Sequence, residues 1–182
     1  YNNYYSQLCC NTIIIKLMIE IKNLDKSFDG NIILNNISTK FIQGKTNLII
    51  GQSGSGKTIL LKCLLGLHIP ENGEIIYDGV SNKKMTDSQK TLLRREMGMV
   101  FQGSALFDSM TVLENVMFPL KMLTQKDEDE IIEKAENAIK RVELENAQQK
   151  LPSELSGGMQ KRVAIARAIV MNPKYLFCDE PN

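Results

Sequence analysis

An α/β fold is what this sequence predicts, and three observations carry the prediction. The apolar run Leu48-Ile49-Ile50 leads directly into the glycine-rich string GQSGSGKT at Gly51–Thr58. An amphipathic stretch then runs from Lys57 to Leu67 with Leu60, Leu61, Leu64 and Leu65 at helical spacing, so strand, loop and helix arrive in turn. Far along the chain a second short apolar run, Tyr175–Cys178, ends on two carboxylates, Asp179 and Glu180. In open α/β sheets ligands collect outside the carboxyl ends of strands, which is where both the glycine string and the carboxylates fall.

The residue types of the glycine string each have a task. Gly51, Gly54 and Gly56 leave room for backbone N–H groups to close on an anion, because a Cβ would block the approach and many of the φ angles needed. Gln52, Ser53 and Ser55 complete the loop between them. Lys57 can set its positive charge on β- and γ-phosphates, and Thr58 offers a hydroxyl to Mg²⁺ while opening a helix whose N-terminus favours anions. A nucleoside triphosphate site is the implied chemistry.

The remaining elements follow in order. Residues 1–17 lack a basic leader region and any capped period, so they read as an extension, with Met18 as the natural start of the folded chain. From Met18, Ile19 and Ile21 alternate with Glu20 and Lys22, and Met18–Leu24, Ile32–Leu34 and Ile37–Phe41 read as strands of an antiparallel layer separated by turn residues. Lys45–Ile50 reads as a buried strand, and Glu74–Tyr77 and Gly98–Phe101 as two more, the last ending at Gln102. Thr111–Leu120 reads as a helix stopped or kinked by Pro119. In Asp127–Val142, Ile131, Ala135, Ile139 and Val142 follow the 3.6 period, acidic residues crowd the start, and Glu130–Lys134 and Glu136–Lys140 are spaced as ion pairs. Ser156–Met171 is a helix that opens on Ser156-Gly157-Gly158 and halts at Asn172-Pro173. That small-residue helix start is a second candidate anion site.

Composition narrows the partners. The chain has 182 residues, with 22 Lys plus Arg against 21 Asp plus Glu, and a net charge of +1 argues against a broad polyanion-binding surface. Cys9, Cys10, Cys63 and Cys178 have no metal-like spacing, which fits reduced thiols in a cytosolic compartment. No run of 18 apolar residues is present to span a membrane. The single histidine, His68, reads as a solvent-exposed or turn residue.

GQSGSGKT, Gln102 behind an apolar strand, LSGGMQKR at Leu155–Arg162 and YLFCDEP at Tyr175–Pro181 together resemble the nucleotide-binding subunit of ABC transporters, over about Met18 to the last residue. The resemblance implies a P-loop NTPase with a mixed central sheet, an antiparallel β layer and a helical subdomain at about 103–171. It implies ATP and Mg²⁺ as ligands and ATP hydrolysis as the activity. Asp179 would hold Mg²⁺, directly or through water, with Thr58 on the other side of the ion. Gln102 would contact Mg²⁺ or the attacking water, and Glu180 would orient or deprotonate that water. Phe28 would stack on adenine, or else is a core aromatic of the strand layer. Ser156, Gly157 and Gly158 of one cassette would close on the ATP of a second, paired head to tail. The resemblance further implies that the sequence ends before the loop and the switch histidine that follow Asp-Glu in the family.

FQGSALFDSMTVLENVMFPL at Phe101–Leu120, together with Met159 in SGGMQKR, is similar to the ATPase subunit of Mla-type phospholipid transporters. That similarity implies membrane permease subunits, a periplasmic lipid-binding component and a cytoplasmic position on the inner face of the membrane. Leu106, Phe107, Met110, Met117 and Phe118 would then either receive a permease helix or pack in the core. An ABC protein working on ribosomes or nucleic acid is the alternative. The interval from Lys57 to Ser156 is too short for the coiled coil of such proteins, and no nucleic-acid partner is expected.

Overall fold

The structure, a computed structural model, describes residues 17–179. The expected extension and the carboxylate of Glu180 therefore lie outside the described residues. The chain divides into two compact units, one formed by the residues up to Lys57 with Ile69–Lys84 and the other by Thr58–His68 with the residues from Met85 onward.

The first unit is an antiparallel sheet of β1 (Leu17–Phe28), β2 (Asn31–Ile42), β3 (Asn72–Tyr77) and β4 (Val80–Ser81), in the order β2-β1-β3-β4. The alternation expected from Ile19 and Ile21 holds: both are buried, and Lys22 is exposed. The two short strands expected at 32–34 and 37–41 are one, because Asn36 takes a positive φ of 50° and its N–H is held by Asp25 Oδ1, which absorbs the irregularity without ending the ladder. Gly73 is obligatory, with φ +78° and a built Cβ that would meet the Asn23 carbonyl oxygen at 2.3 Å.

The expected strand at Lys45–Ile50 does not form. Leu48 and Ile50 are 78% and 85% exposed, and no ladder includes them. An apolar run becomes a strand only where a neighbouring backbone edge supplies its hydrogen bonds. Here the chain instead leaves β2 through a turn closed by Asn47, whose amide accepts from Ile42 N–H and donates to the carbonyls of Ile42 and Lys45.

The second unit begins with α1 (Lys57–Leu64), which buries Leu60, Leu61 and Leu64 as its periodicity requires. Next comes α2 (Asp87–Arg95), a helix absent from the expectations although Thr86 and Gln89 form a complete capping box at its start. β5 (Met97–Val100) pairs in parallel with β6 (Tyr175–Cys178). Gly98 sits where α5 crosses β5, and a Cβ there would meet the Ala168 carbonyl oxygen at 2.4 Å.

Three helices close the unit: α3 (Val112–Leu123), α4 (Glu128–Arg141) and α5 (Gly157–Ile169). They share a core of Val112, Val116, Met117, Leu120, Ile131, Ala135, Ile139 and Val163. α3 runs through Pro119 rather than stopping there. The residue forfeits one backbone hydrogen bond, while the buried Val116, Met117 and Leu120 around it hold the helix in place. Glu130 pairs with Lys134 as expected and also with Lys126, which draws its carboxyl below the ordinary carboxylate range. Glu136 and Lys140 form no ion pair, as is common for solvated side chains with little to gain from meeting.

Candidate functional site

The phosphate loop lies in the first unit. Ser55 N–H donates to the Gln52 carbonyl at 3.2 Å, which curls the loop, and Gly54 and Gly56 take φ of +79° and +90°. A Cβ on Gly56 would press within 3.1 Å of Ile33 and Leu34, and one on Gly51 would meet Ser55 Oγ at 2.6 Å. The Lys57 ammonium reaches back over the loop and donates to the carbonyls of Gly51 and Gln52, 2.9 Å each. Gln52 and Ser53 are exposed at the loop's rim. The cation is thus held at the loop by two neutral acceptors, so its positive charge has no counter-charge among these two partners.

Phe28 stands at the end of β1, 37% exposed, so it is a surface aromatic and not a core residue. Lys26 Nζ sits 4.8 Å from its ring centroid, and Glu71 anchors that lysine at 2.7 Å while its other oxygen accepts from Ser27 N–H. The Lys26 hydrogen bond, chiefly, holds the Glu71 carboxyl below its ordinary range.

The second unit holds the metal-type donors. The Thr58 hydroxyl donates to Asp179 Oδ1 at 3.2 Å, joining the start of α1 to the end of β6. Asp179 is only 7% exposed, and its own N–H donates to the Val100 carbonyl at 3.0 Å. β5 and β6 therefore end side by side, and Gln102 follows two positions beyond Val100. Two hard oxygens at this separation suit Mg²⁺, whose octahedral shell at about 2.1 Å sets adjacent ligands roughly 3 Å apart. Among the described residues no cluster of three or more His, Cys, Asp or Glu competes for a metal.

Ser156 caps α5, its hydroxyl accepting from Met159 N–H at 3.3 Å. Gly157 and Gly158 form the exposed first turn, and a Cβ built on either would meet nothing within 4 Å. Nothing among the described residues calls for glycine at these two positions. His68 is a half-buried turn residue behind α1.

Two side chains escaped sequence reasoning. Asn115, wholly buried on α3, accepts from Phe107 N–H and donates to the carbonyls of Phe107, Met110 and Thr111. Arg167, on α5, donates to the carbonyls of Ser104 and Ala105 at 2.9 and 2.8 Å, with its guanidinium 5.8 Å from the Phe107 ring centroid. Burial pushes its pKa down. Ser104 and Ala105 both take positive φ, 61° and 48°, conformations that cost a non-glycine residue about 1 kcal/mol or more each. The only sequence signal was an arginine and an asparagine on otherwise apolar helix faces.

A glycine-lined loop whose lysine is held by two loop carbonyls, in the first unit, and a threonine bonded to the carboxylate that ends a parallel strand, in the second, are features of the P-loop class of protein. Residues 34–182 match the family described as ABC transporter, and the chain belongs to that family. It is 42% identical over 167 residues to the L-cystine import ATP-binding protein TcyC of Bacillus subtilis, covering 90% of this chain and 68% of that one. It is 44% identical over 163 residues to the methionine import ATP-binding protein MetN of Clostridium tetani, covering 90% and 51%. Among solved structures, the ATP-binding cassette MJ0796, a dimer in a post-hydrolysis state bound to ADP and Pi, superposes with a TM-score of 0.82 at 34% identity, covering 91% of this chain and 75% of that one. The chain spans about half the length of MetN and other curated relatives it matches. The fold is that of an ABC ATPase cassette, with mixed sheets and helices.

Proposed function

We propose that this chain is the ATP-binding and ATP-hydrolysing part of an ABC transporter subunit. The observation that carries the proposal is the Thr58–Asp179 contact, which brings the hydroxyl behind the phosphate-loop lysine onto the carboxylate at the end of β6. Lys57 exchanges its two carbonyl partners for β- and γ-phosphate oxygens. Thr58 and Asp179 hold Mg²⁺, and when bound the ion supplies charge neutralisation to the phosphates. Gln102, beyond the end of β5, contacts the ion or the water, and Glu180 orients or deprotonates the water. Phe28 stacks on the adenine from its exposed place at the end of β1.

The bare first turn of α5 supports pairing of two cassettes. Glycine in a helix costs about 0.5–1 kcal/mol relative to alanine, and no contact among the described residues offsets that cost at Gly157 or Gly158. Close approach by a second copy's ATP to Ser156, Gly157 and Gly158 gives the glycines a purpose, and it fits the head-to-tail dimer. Membrane permease subunits complete the transporter. In this reading the cassette sits peripherally on the inner face of the membrane through those subunits; among the described residues no helix is long and apolar enough to cross a membrane.

We read the transported substrate as phospholipid, on the similarity of Phe101–Leu120 and Met159 to Mla-type subunits; a periplasmic lipid-binding component belongs to that reading. The relatives named above are import ATPases for cystine and methionine, a competing indication. Of the apolar set considered for a permease helix, Met117 is a core residue, while Phe107 is 39% exposed and Met110 and Phe118 are half-buried and available. The complete protein should hydrolyse ATP only with Mg²⁺, and Glu180→Gln should abolish turnover while preserving ATP binding. Unchanged turnover in that variant would remove Glu180 from the mechanism. Stimulation by phospholipid vesicles in the assembled transporter, and not by amino acids, separates the two substrate classes.

A further inference from the structure

Gln102 and the Ser156 cap lie on segments that Arg167 connects. The stretch leaving Gln102 turns through Ser104 and Ala105, two successive left-handed residues whose carbonyls are both taken by the Arg167 guanidinium. A planar fork can hold two carbonyls at once in fixed geometry, which a single ammonium cannot. Phe107 lies under the same guanidinium and packs against Phe118 with the rings tilted by 50°, 4.6 Å between centroids, while Asn115 holds Phe107 from α3. Among the described residues Arg167 makes no ion pair, so a half-buried cation is committed to two neutral carbonyls. Such an arrangement is costly for a mere loop anchor, since a neutral donor would serve without desolvating a charge.

Arg167 and Ser156 stand at opposite ends of α5, about 16 Å apart along the axis at 1.5 Å per residue. Ala164 and Ala168 on the same helix pack against Val100, the last residue of β5 before Phe101 and Gln102. The 102–105 segment is therefore tied to the C-terminal end of the helix whose N-terminal end is capped by Ser156.

We propose that Arg167 is a positioning residue that couples the Gln102 segment to the Ser156–Gly158 helix start, so that nucleotide sensed at one is transmitted to the other. The inference rests on the ATPase reading above, and it assigns Arg167 no contact with nucleotide. The test compares wild type, Arg167→Lys and Arg167→Ala in the complete protein, measuring affinity for a fluorescent ATP analogue, kcat, KM and melting temperature, with and without millimolar guanidinium chloride. Loss of coupling lowers kcat by about tenfold in both variants while analogue affinity stays near wild type, and guanidinium restores part of the kcat of Arg167→Ala. Unchanged kcat in Arg167→Lys overturns the proposal. So does a fall in kcat that tracks losses of affinity and melting temperature without guanidinium rescue. A wild-type protein that binds the analogue yet does not hydrolyse ATP overturns the ATPase reading and this coupling with it.

Discussion

Replacing Gly158 by alanine should raise stability and remove function at once. The glycine occupies the second helical position of α5, has no positive φ, and offers an added Cβ nothing within 4 Å. Among the described residues the methyl group therefore meets no obstacle, and the helix gains the propensity difference of about 0.5–1 kcal/mol. For a domain of this size a gain of 1 kcal/mol moves the melting temperature by about 2–4 °C. In the paired state proposed above the same methyl would stand where a phosphate approaches backbone N–H groups, so ATP-driven association should be lost and kcat should fall by about 100-fold or more. Calorimetry of the complete protein without nucleotide, followed by ATP hydrolysis at saturating MgATP, measures both. A lower melting temperature would show that the glycine serves the chain's own packing. Wild-type turnover would show that nothing approaches this turn.

Thr58→Ala should weaken nucleotide binding in the presence of Mg²⁺ and leave binding in EDTA nearly unchanged, because only the metal-linked share of affinity passes through its hydroxyl; titration with a fluorescent ATP analogue under both conditions checks this. Gly98→Ala should cost about 1–3 kcal/mol in urea unfolding, since its Cβ would meet the Ala168 carbonyl oxygen at 2.4 Å and β5 must shift from α5. The Glu114 carboxyl is held below its ordinary value of 4.5, chiefly by the hydrogen bond from Thr111 N–H that completes the α3 cap. A depressed carboxyl pKa stabilises the fold above about pH 4.5 and loses that contribution as pH falls through the lower folded-state value. Melting temperature measured against pH should therefore fall less steeply below pH 4.5 for Glu114→Gln than for wild type.

The parts of the site that are legible in the sequence are those where local chemistry sets local geometry. GQSGSGKT announces its loop because Gly54 and Gly56 need positive φ and because Gly51 and Gly56 have no room for a Cβ. Ser156 announces a helix start by the same capping chemistry that the structure shows. The α2 helix is also legible, since Thr86 and Gln89 stand three residues apart as a capping box. Leu48 and Ile50 misled because apolarity reports burial only when a ladder partner is at hand, and partners come from elsewhere in the fold. Asn115 and Arg167 were illegible for a related reason. Their partners are carbonyls of the 104–111 segment, which only the folded arrangement of α3 and α5 brings to them.

The central claim is a composite ATP site completed by a second copy of the chain. Its most direct test is the solution mass of the complete Glu180→Gln protein, measured by light scattering with MgATP and with MgADP. The claim requires a dimer with MgATP that reverts to monomer with MgADP. A mass that stays monomeric with saturating MgATP would contradict it.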